Sequence, residues 1–250
     1  MIIDANVIFG FDRLHNRKMD GKSILNMMDD HKIEKAIITC NECMYYDFIE
    51  GNNKTSILVS QHPDRFIGFF SFHTARYFKV FDEVSRAVNE LGLQGMRIFF
   101  TEISFGRGWS SGLHSLMLCE VLKNVNELKL PVFIEPGFSF ADISTLVQHY
   151  PQINFIASGI GYANMAEAII AVQKNQNLYL ELSTSDAGDG IETLVNIIGA
   201  DRLIFGTGMP FITPSVALTG IEYANISSYD KQKILHGNIS AIMAKEDVKK

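Results

Sequence analysis

Residues 66–100 read FIGFFSFHTARYFKVFDEVSRAVNELGLQGMRIFF, an apolar run, an amphipathic stretch and a second apolar run. Val80, Phe81, Val84, Ala87, Val88 and Leu91 recur at helical spacing, which predicts a helix over 78–91 with Gly92 as its stop. The flanking runs, 66–72 and 95–100, are almost wholly apolar, as strands covered on both faces are. A strand, helix, strand unit of this length makes its two strands parallel through a right-handed crossover. Working outward, the same kind of run recurs at 1–8, 35–40, 131–135, 154–157, 178–183 and 203–206. Helical patterns lie between several of them, at 113–128 and at 142–149, the second ended by Pro151. Eight such units predict an α/β protein, a (β/α)8 TIM barrel forming one domain over 1–250, with 228–244 as a C-terminal closing helix. The rival, an open doubly wound sheet, would carry a glycine-rich phosphate turn after its first strand. Phe9-Gly10-Phe11 is not such a turn.

The net charge of −6, with no block of Lys or Arg, disfavours nucleic acid as a partner. No stretch approaches the roughly 18 apolar residues of a membrane helix, so no membrane partner is expected. The opening MIIDANVIFG has no basic region before its apolar run, and the cysteines number three, which together predict a reducing, cytoplasmic setting. Self-assembly into a homo-oligomer stays open.

In a barrel of this kind the chemistry sits at the C-terminal ends of the strands. A hydrolytic metal site there needs several His and carboxylates, because they hold the ion that brings the pKa of water from about 15.7 to about 7. His31, His62, His149 and His236 fall in helices or at their ends, His15 in the first loop, and His114 at the start of a helix. Only His73 falls at a strand end, and there is no HxH or HExxH.

The strand ends nevertheless carry a pattern. Ile3-Asp4-Ala5-Asn6-Val7-Ile8 stands where an I-D-x-H-x-H pattern would, and Leu130-Pro131-Val132-Phe133-Ile134-Glu135-Pro136-Gly137 where L-P-V-x-x-H-x-G would. Tyr150-Pro151 leads through Phe155 to Gly159 and Gly161, and residues 199–210 read GADRLIFGTGMP. With Ile234, Leu235 and Asn238 near the end, the chain resembles the amidohydrolase superfamily, in its amidohydrolase-related (amidohydrolase 2) branch of metal-dependent hydrolases and decarboxylases. The resemblance spans almost the whole chain. It implies a TIM barrel, a small-molecule substrate and a divalent metal such as zinc. At the family's ligand and catalytic positions this chain has Asn6, Ile8, Glu135, Gly159 and Gly208. The expectation is therefore a barrel whose metal site is lost, with no cofactor: a pseudoenzyme.

Seven residues are candidates for the pocket. Glu135 and His73 are the candidate catalytic groups, as acid or base. Asn6, Arg97, Thr207, Arg107 and Trp109 are the candidate ligand contacts, the last two on a glycine-rich loop after the fourth strand. A carboxylate at position 135 inside a barrel must be paired or protonated, and Arg97 is its candidate partner, either at a working site or as a structural pair. The Cys40-Asn41-Glu42-Cys43 spacing lacks both a thioredoxin-like context and a second Cys pair, so neither redox chemistry nor zinc is expected of it. The favoured reading is a metal-free binder of a small anionic or carbonyl-bearing molecule, or a degenerate hydrolase. The alternatives are an active hydrolase or decarboxylase with an atypical metal held by Glu135, His73 and Asp4, and a non-catalytic assembly partner.

Overall fold

The computed structural model describes residues 1–12, 16–45, 47–72, 80–99 and 112–244. Nine strands form one curled sheet: β1 (Ile3–Asp12), β2 (Arg17–Met19), β3 (Lys35–Cys40), β4 (Phe66–Phe70), β5 (Gly95–Ile98), β6 (Val132–Ile134), β7 (Phe155–Ala157), β8 (Leu178–Glu181) and β9 (Leu203–Ile204). Their order in the sheet is β2-β1-β3-β4-β5-β6-β7-β8-β9. Every pairing is parallel except β1 with β2.

The strand count differs from the eight expected. β1 runs four residues beyond the predicted end and folds back on β2 as an antiparallel hairpin. β1 also meets the chain that leaves β9. Ala5 N donates to Phe205 O (3.0 Å), Gly208 N to Asn6 O (3.0 Å) and Ile8 N to Met209 O (2.9 Å). The result is a TIM-barrel-like α/β fold, with β1 joined to the chain that leaves β9.

The helices are α1 (Gly21–Asp30), α2 (Phe48–Gln61), α3 (Val80–Asn89), α4 (Leu116–Glu127), α5 (Phe140–Gln148), α6 (Met165–Lys174), α7 (Gly190–Ile198), α8 (Pro214–Tyr223), α9 (Ser228–Gln232) and α10 (Asn238–Met243). Local chemistry sets several starts. Asp20, Ser115 and Ser139 each accept a hydrogen bond from the backbone N–H three residues on, satisfying a donor that the helix itself cannot. The predicted closing helix is present but interrupted by a π-helical turn, Lys233–Gly237. Within that turn the Ile234 carbonyl accepts from Phe205 N (3.0 Å), so the barrel wall takes a bond that a regular helix would keep. No helix among the described residues is long and apolar enough to cross a membrane.

The core has two layers. Helices pack on the outside of the sheet through residues such as Ile24, Met28, Val121, Leu122 and Ile143. Inside, Ile3, Ala5, Ile37, Phe69, Phe133, Ile156 and Ile204 form a separate cluster, closed by Ile239 and Ile242 of α10. This apolar plug fills the barrel from its closing-helix side and leaves the other end for polar side chains.

Candidate active site

Above the plug lies a polar layer built from the first half of β1 and from the C-terminal ends or exits of four other strands. β1 brings Asp4 and Asn6, and the register of its pairing with β3 shifts between Asp4 and Val7. Such an irregularity re-aims side chains that a regular strand would alternate. β5 brings Arg97, the residue after β6 is Glu135, β8 and its exit bring Glu181 and Ser183, and the exit of β9 brings Thr207.

Arg97 is the centre. Its guanidinium lies over the Phe133 ring, 4.2 Å from the centroid, so the top of the apolar plug is also the floor for a cation. Nη1 donates to Asn6 Oδ1 (2.9 Å) and to the Glu135 carboxylate. Nη2 reaches only the Ala5 carbonyl, at 3.5 Å, and Nε has no partner among the described residues. The Asn6 amide is oriented by its neighbours. Its oxygen takes Arg97, while Nδ2 donates to Glu181 Oε2 (3.1 Å) and Ser183 Oγ (3.2 Å). Glu181 also accepts from Ser183 N (2.8 Å) and Ser183 Oγ (2.9 Å).

Asp4 joins β1 to the exit of β9. Its Oδ1 accepts from Asn6 N and Thr207 N, both at 2.9 Å, and its Oδ2 from Thr207 Oγ1 at 2.5 Å. Thr207 Oγ1 in turn accepts from Met209 N (3.1 Å). Burial pushes the Asp4 carboxyl up to about 7; the Thr207 and Asn6 bonds work against that rise, and the nearby Glu181 adds to it. Burial raises Glu181 as well, opposed by Ser158, Ser183 and Asn6. Ser158 Oγ, which acts on Glu181, reaches hydrogen-bond geometry with no partner among the described residues.

Of the predicted residues, Asn6, Arg97, Glu135 and Thr207 come together in this one network. His73, Arg107 and Trp109 lie outside the described residues. Two members were not singled out from sequence, Glu181 and Ser183, and Asp4 was considered only as a spare metal ligand. A signal for Glu181 existed: an acid in the middle of LYLELS, a run covered on both faces, must have partners.

Cys40 and Cys43 are free and buried. Cys40 Sγ donates to Glu42 Oε2 (2.6 Å) and Cys43 Sγ to Asn52 Oδ1 (3.4 Å), and burial pushes both thiols far up, the opposite of a reactive thiolate.

The sequence pattern of the amidohydrolase family matches residues 41–242. The chain belongs to the amidohydrolase family. No curated relative matches it in sequence. Among solved structures it is similar to 2,6-dihydroxybenzoate decarboxylase complexed with 2,6-dihydroxybenzoate, with a TM-score of 0.79 and 17% identity over 97% of this chain and 98% of that one. It is similar to a dihydroxybenzoic acid decarboxylase from Polaromonas with bound manganese and 2-nitroresorcinol, with a TM-score of 0.75 and 19% identity over 97% and 96%. A 5-carboxyvanillate decarboxylase from Novosphingobium aromaticivorans, also with manganese, gives 0.76 and 14% over 97% of each chain. At such identities the likeness concerns the fold.

These findings correct the expectation of no cofactor, since two of the three similar structures hold manganese and a divalent metal is what this family leads one to expect. The reading as a pseudoenzyme gains no support: the three similar structures named above are all of decarboxylases. As arranged, the described residues do not fit such an ion. Among them no group of three or more His, Cys, Asp or Glu is placed to hold one. The carboxylates of Asp4 and Glu181 are each engaged by several donors, and that of Glu135 by Arg97. No chemical step below is routed through a metal.

Proposed function

We propose that the chain is a small-molecule enzyme, a carbon–carbon lyase or hydrolase acting on a carboxylate-bearing compound at the C-terminal mouth of a complete (β/α)8 barrel formed by the whole chain as one domain. One observation carries the reading: the fully buried Arg97 faces Glu135, a carboxylate with 14% of its side chain open to solvent. A cation floored by an aromatic ring suits a carboxylate ligand. The similar structures named above include one complexed with 2,6-dihydroxybenzoate, which supports an aromatic acid as the first compound to try. In this reading Arg97 anchors the acid, Asn6 sets the angle of the guanidinium, and Glu135 exchanges a proton with the bound molecule. Thr207 holds Asp4 and so the joint between β1 and β9. His73, Arg107 and Trp109 complete the proposal from sequence, His73 as a second proton carrier and the other two as ligand contacts. Three free cysteines suit a cytoplasmic enzyme.

The test is turnover. The purified chain is incubated with a panel of hydroxybenzoates, beginning with 2,6-dihydroxybenzoate, in buffer supplied with manganese and in parallel with chelator, and products are followed by chromatography. Turnover that disappears in Arg97→Met and in Glu135→Gln is expected. Turnover that survives both substitutions, or none across the panel, overturns the proposal.

A further inference from the structure

We infer that Glu135 is an internal stand-in for the ligand: it occupies the seat on Arg97 that the carboxylate of an incoming organic acid takes over, and is itself released toward the mouth. The inference rests on the proposed function for the class of ligand, and on the geometry for the exchange.

Three observations lead to it. First, the pair is made through one nitrogen. Among the described contacts Glu135 meets Nη1 alone, and Nη1 already serves Asn6. Arginine has five N–H donors in a planar fork, and a carboxylate that belongs to it permanently commonly takes two of them. Second, the fork is left underused in a place where that is costly. Among the described residues, buried Nε has no partner and Nη2 has one long contact, to Ala5 O. A buried donor left unmade is costly, so an acid that engages more of the fork has a gain to draw on. Third, only one of the three carboxylates can leave. Asp4 and Glu181 are wholly buried and held by donors on both oxygens, whereas Glu135 is partly open and, among the described residues, is tied by the single Arg97 nitrogen. The released Glu135 then lies beside the bound acid, free of its cation and able to carry a proton. Docking of the ligand and freeing of the acid–base group become one event.

Benzoate is the probe, titrated calorimetrically into the wild-type chain, Glu135→Ala, Glu135→Gln and Arg97→Met, each first shown folded by circular dichroism. Removing the competitor should tighten benzoate at least roughly tenfold in Glu135→Ala, equivalent to about 1.4 kcal/mol. Glu135→Gln, which keeps the shape and loses the charge, should move in the same direction, and Arg97→Met should lose binding. Equal or weaker binding in both Glu135 variants overturns the inference, as does benzoate binding that survives in Arg97→Met or fails in every protein. Failure of the proposed function reads differently. If the panel shows no turnover while the Glu135 variants still bind benzoate more tightly, the enzyme reading falls and the exchange stands.

Discussion

Asp4→Asn isolates the energetic cost of the joint between β1 and β9. Asp4 is fully buried, and burial lifts its carboxyl from 3.8 to about 7. A rise of about three units, at about 1.36 kcal/mol each, means that the folded state pays about 4 kcal/mol to hold this group ionised. The sign follows from proton counting. Between about pH 4 and pH 7 the folded chain keeps a proton on Asp4 that the unfolded chain has released, so stability falls as pH rises through that window and is flat in this respect above it. An asparagine fits the same partners. Its oxygen can accept from Asn6 N and Thr207 N, and its amide can donate to Thr207 Oγ1, which already accepts from Met209 N. Equilibrium urea unfolding of wild type and Asp4→Asn at pH 5.5 and pH 8 is the assay. Between those conditions Asp4 alone should cost the wild type about 2 kcal/mol, and the variant should be spared that loss. The difference in stability between the two proteins should therefore move by about 2 kcal/mol in the variant's favour on going to pH 8. An unchanged difference, or a shift toward the wild type, would show that the three donors outweigh burial and that Asp4 is ionised throughout.

Two further substitutions test the frame. At Gly206 an added Cβ would land on Glu181 Oε1 and stand 2.9 Å from the Asn6 Cβ, so Gly206→Ala should destabilise the fold by roughly 1–3 kcal/mol. The same change made in a Glu181→Ala background should cost clearly less, a coupling that a double-mutant cycle in urea reads directly. Asn238→Ala removes the Nδ2 bonds to Ala200 O (2.7 Å) and Leu203 O (2.8 Å) that tie α10 to β9. It should lower stability by about 1–3 kcal/mol while leaving benzoate affinity where it was, since none of these atoms touches the polar layer.

The strands were legible because each is a short apolar run, and the helices because their apolar residues repeat on one face. β2 was not: Arg17-Lys18-Met19 is charged and largely exposed, and it is a strand only because the long β1 offers it an edge. Nor could the π-helical turn be read in advance, because the carbonyl that breaks the closing helix is claimed by Phe205 on another element. The Asp-Arg pair of the GADRLIFG stretch was read as a family mark, and its work is structural. Arg202 Nη2 donates to Asn175 O (2.6 Å) and Leu178 O (2.7 Å), and Lys233 holds Asp201 (2.8 Å). For the site, Arg97 and Glu135 could be paired from sequence because a lone acid and a lone base on neighbouring buried strands need each other. Asp4 and Glu181 were harder, because their partners are backbone N–H groups, hydroxyls and an amide, which carry no charge to look for.

The polar layer also constrains any ligand by its charge. Arg97 is its one described cation, set against the carboxyl groups of Asp4, Glu135 and Glu181. Burial pushes Glu181 up in the same direction as Asp4, and Asp4, at about 7, lets the layer shed part of its negative excess by keeping a proton that a solvent-exposed acid would lose. An organic acid entering as an anion would restore that excess, and an uncompensated charge in a buried site costs several kcal/mol. The layer has two ways to absorb it. One is to take up a further proton at Asp4, which then weakens binding as pH rises through about 7. The other is to send one carboxylate to water, and only Glu135 has a face open to it. Benzoate affinity measured from pH 6 to pH 8 in Asp4→Asn separates the two. If the exchange at Glu135 balances the charge, the affinity of this variant and of the wild type should follow the same course with pH; if Asp4 takes the proton, the wild type alone should weaken across that range.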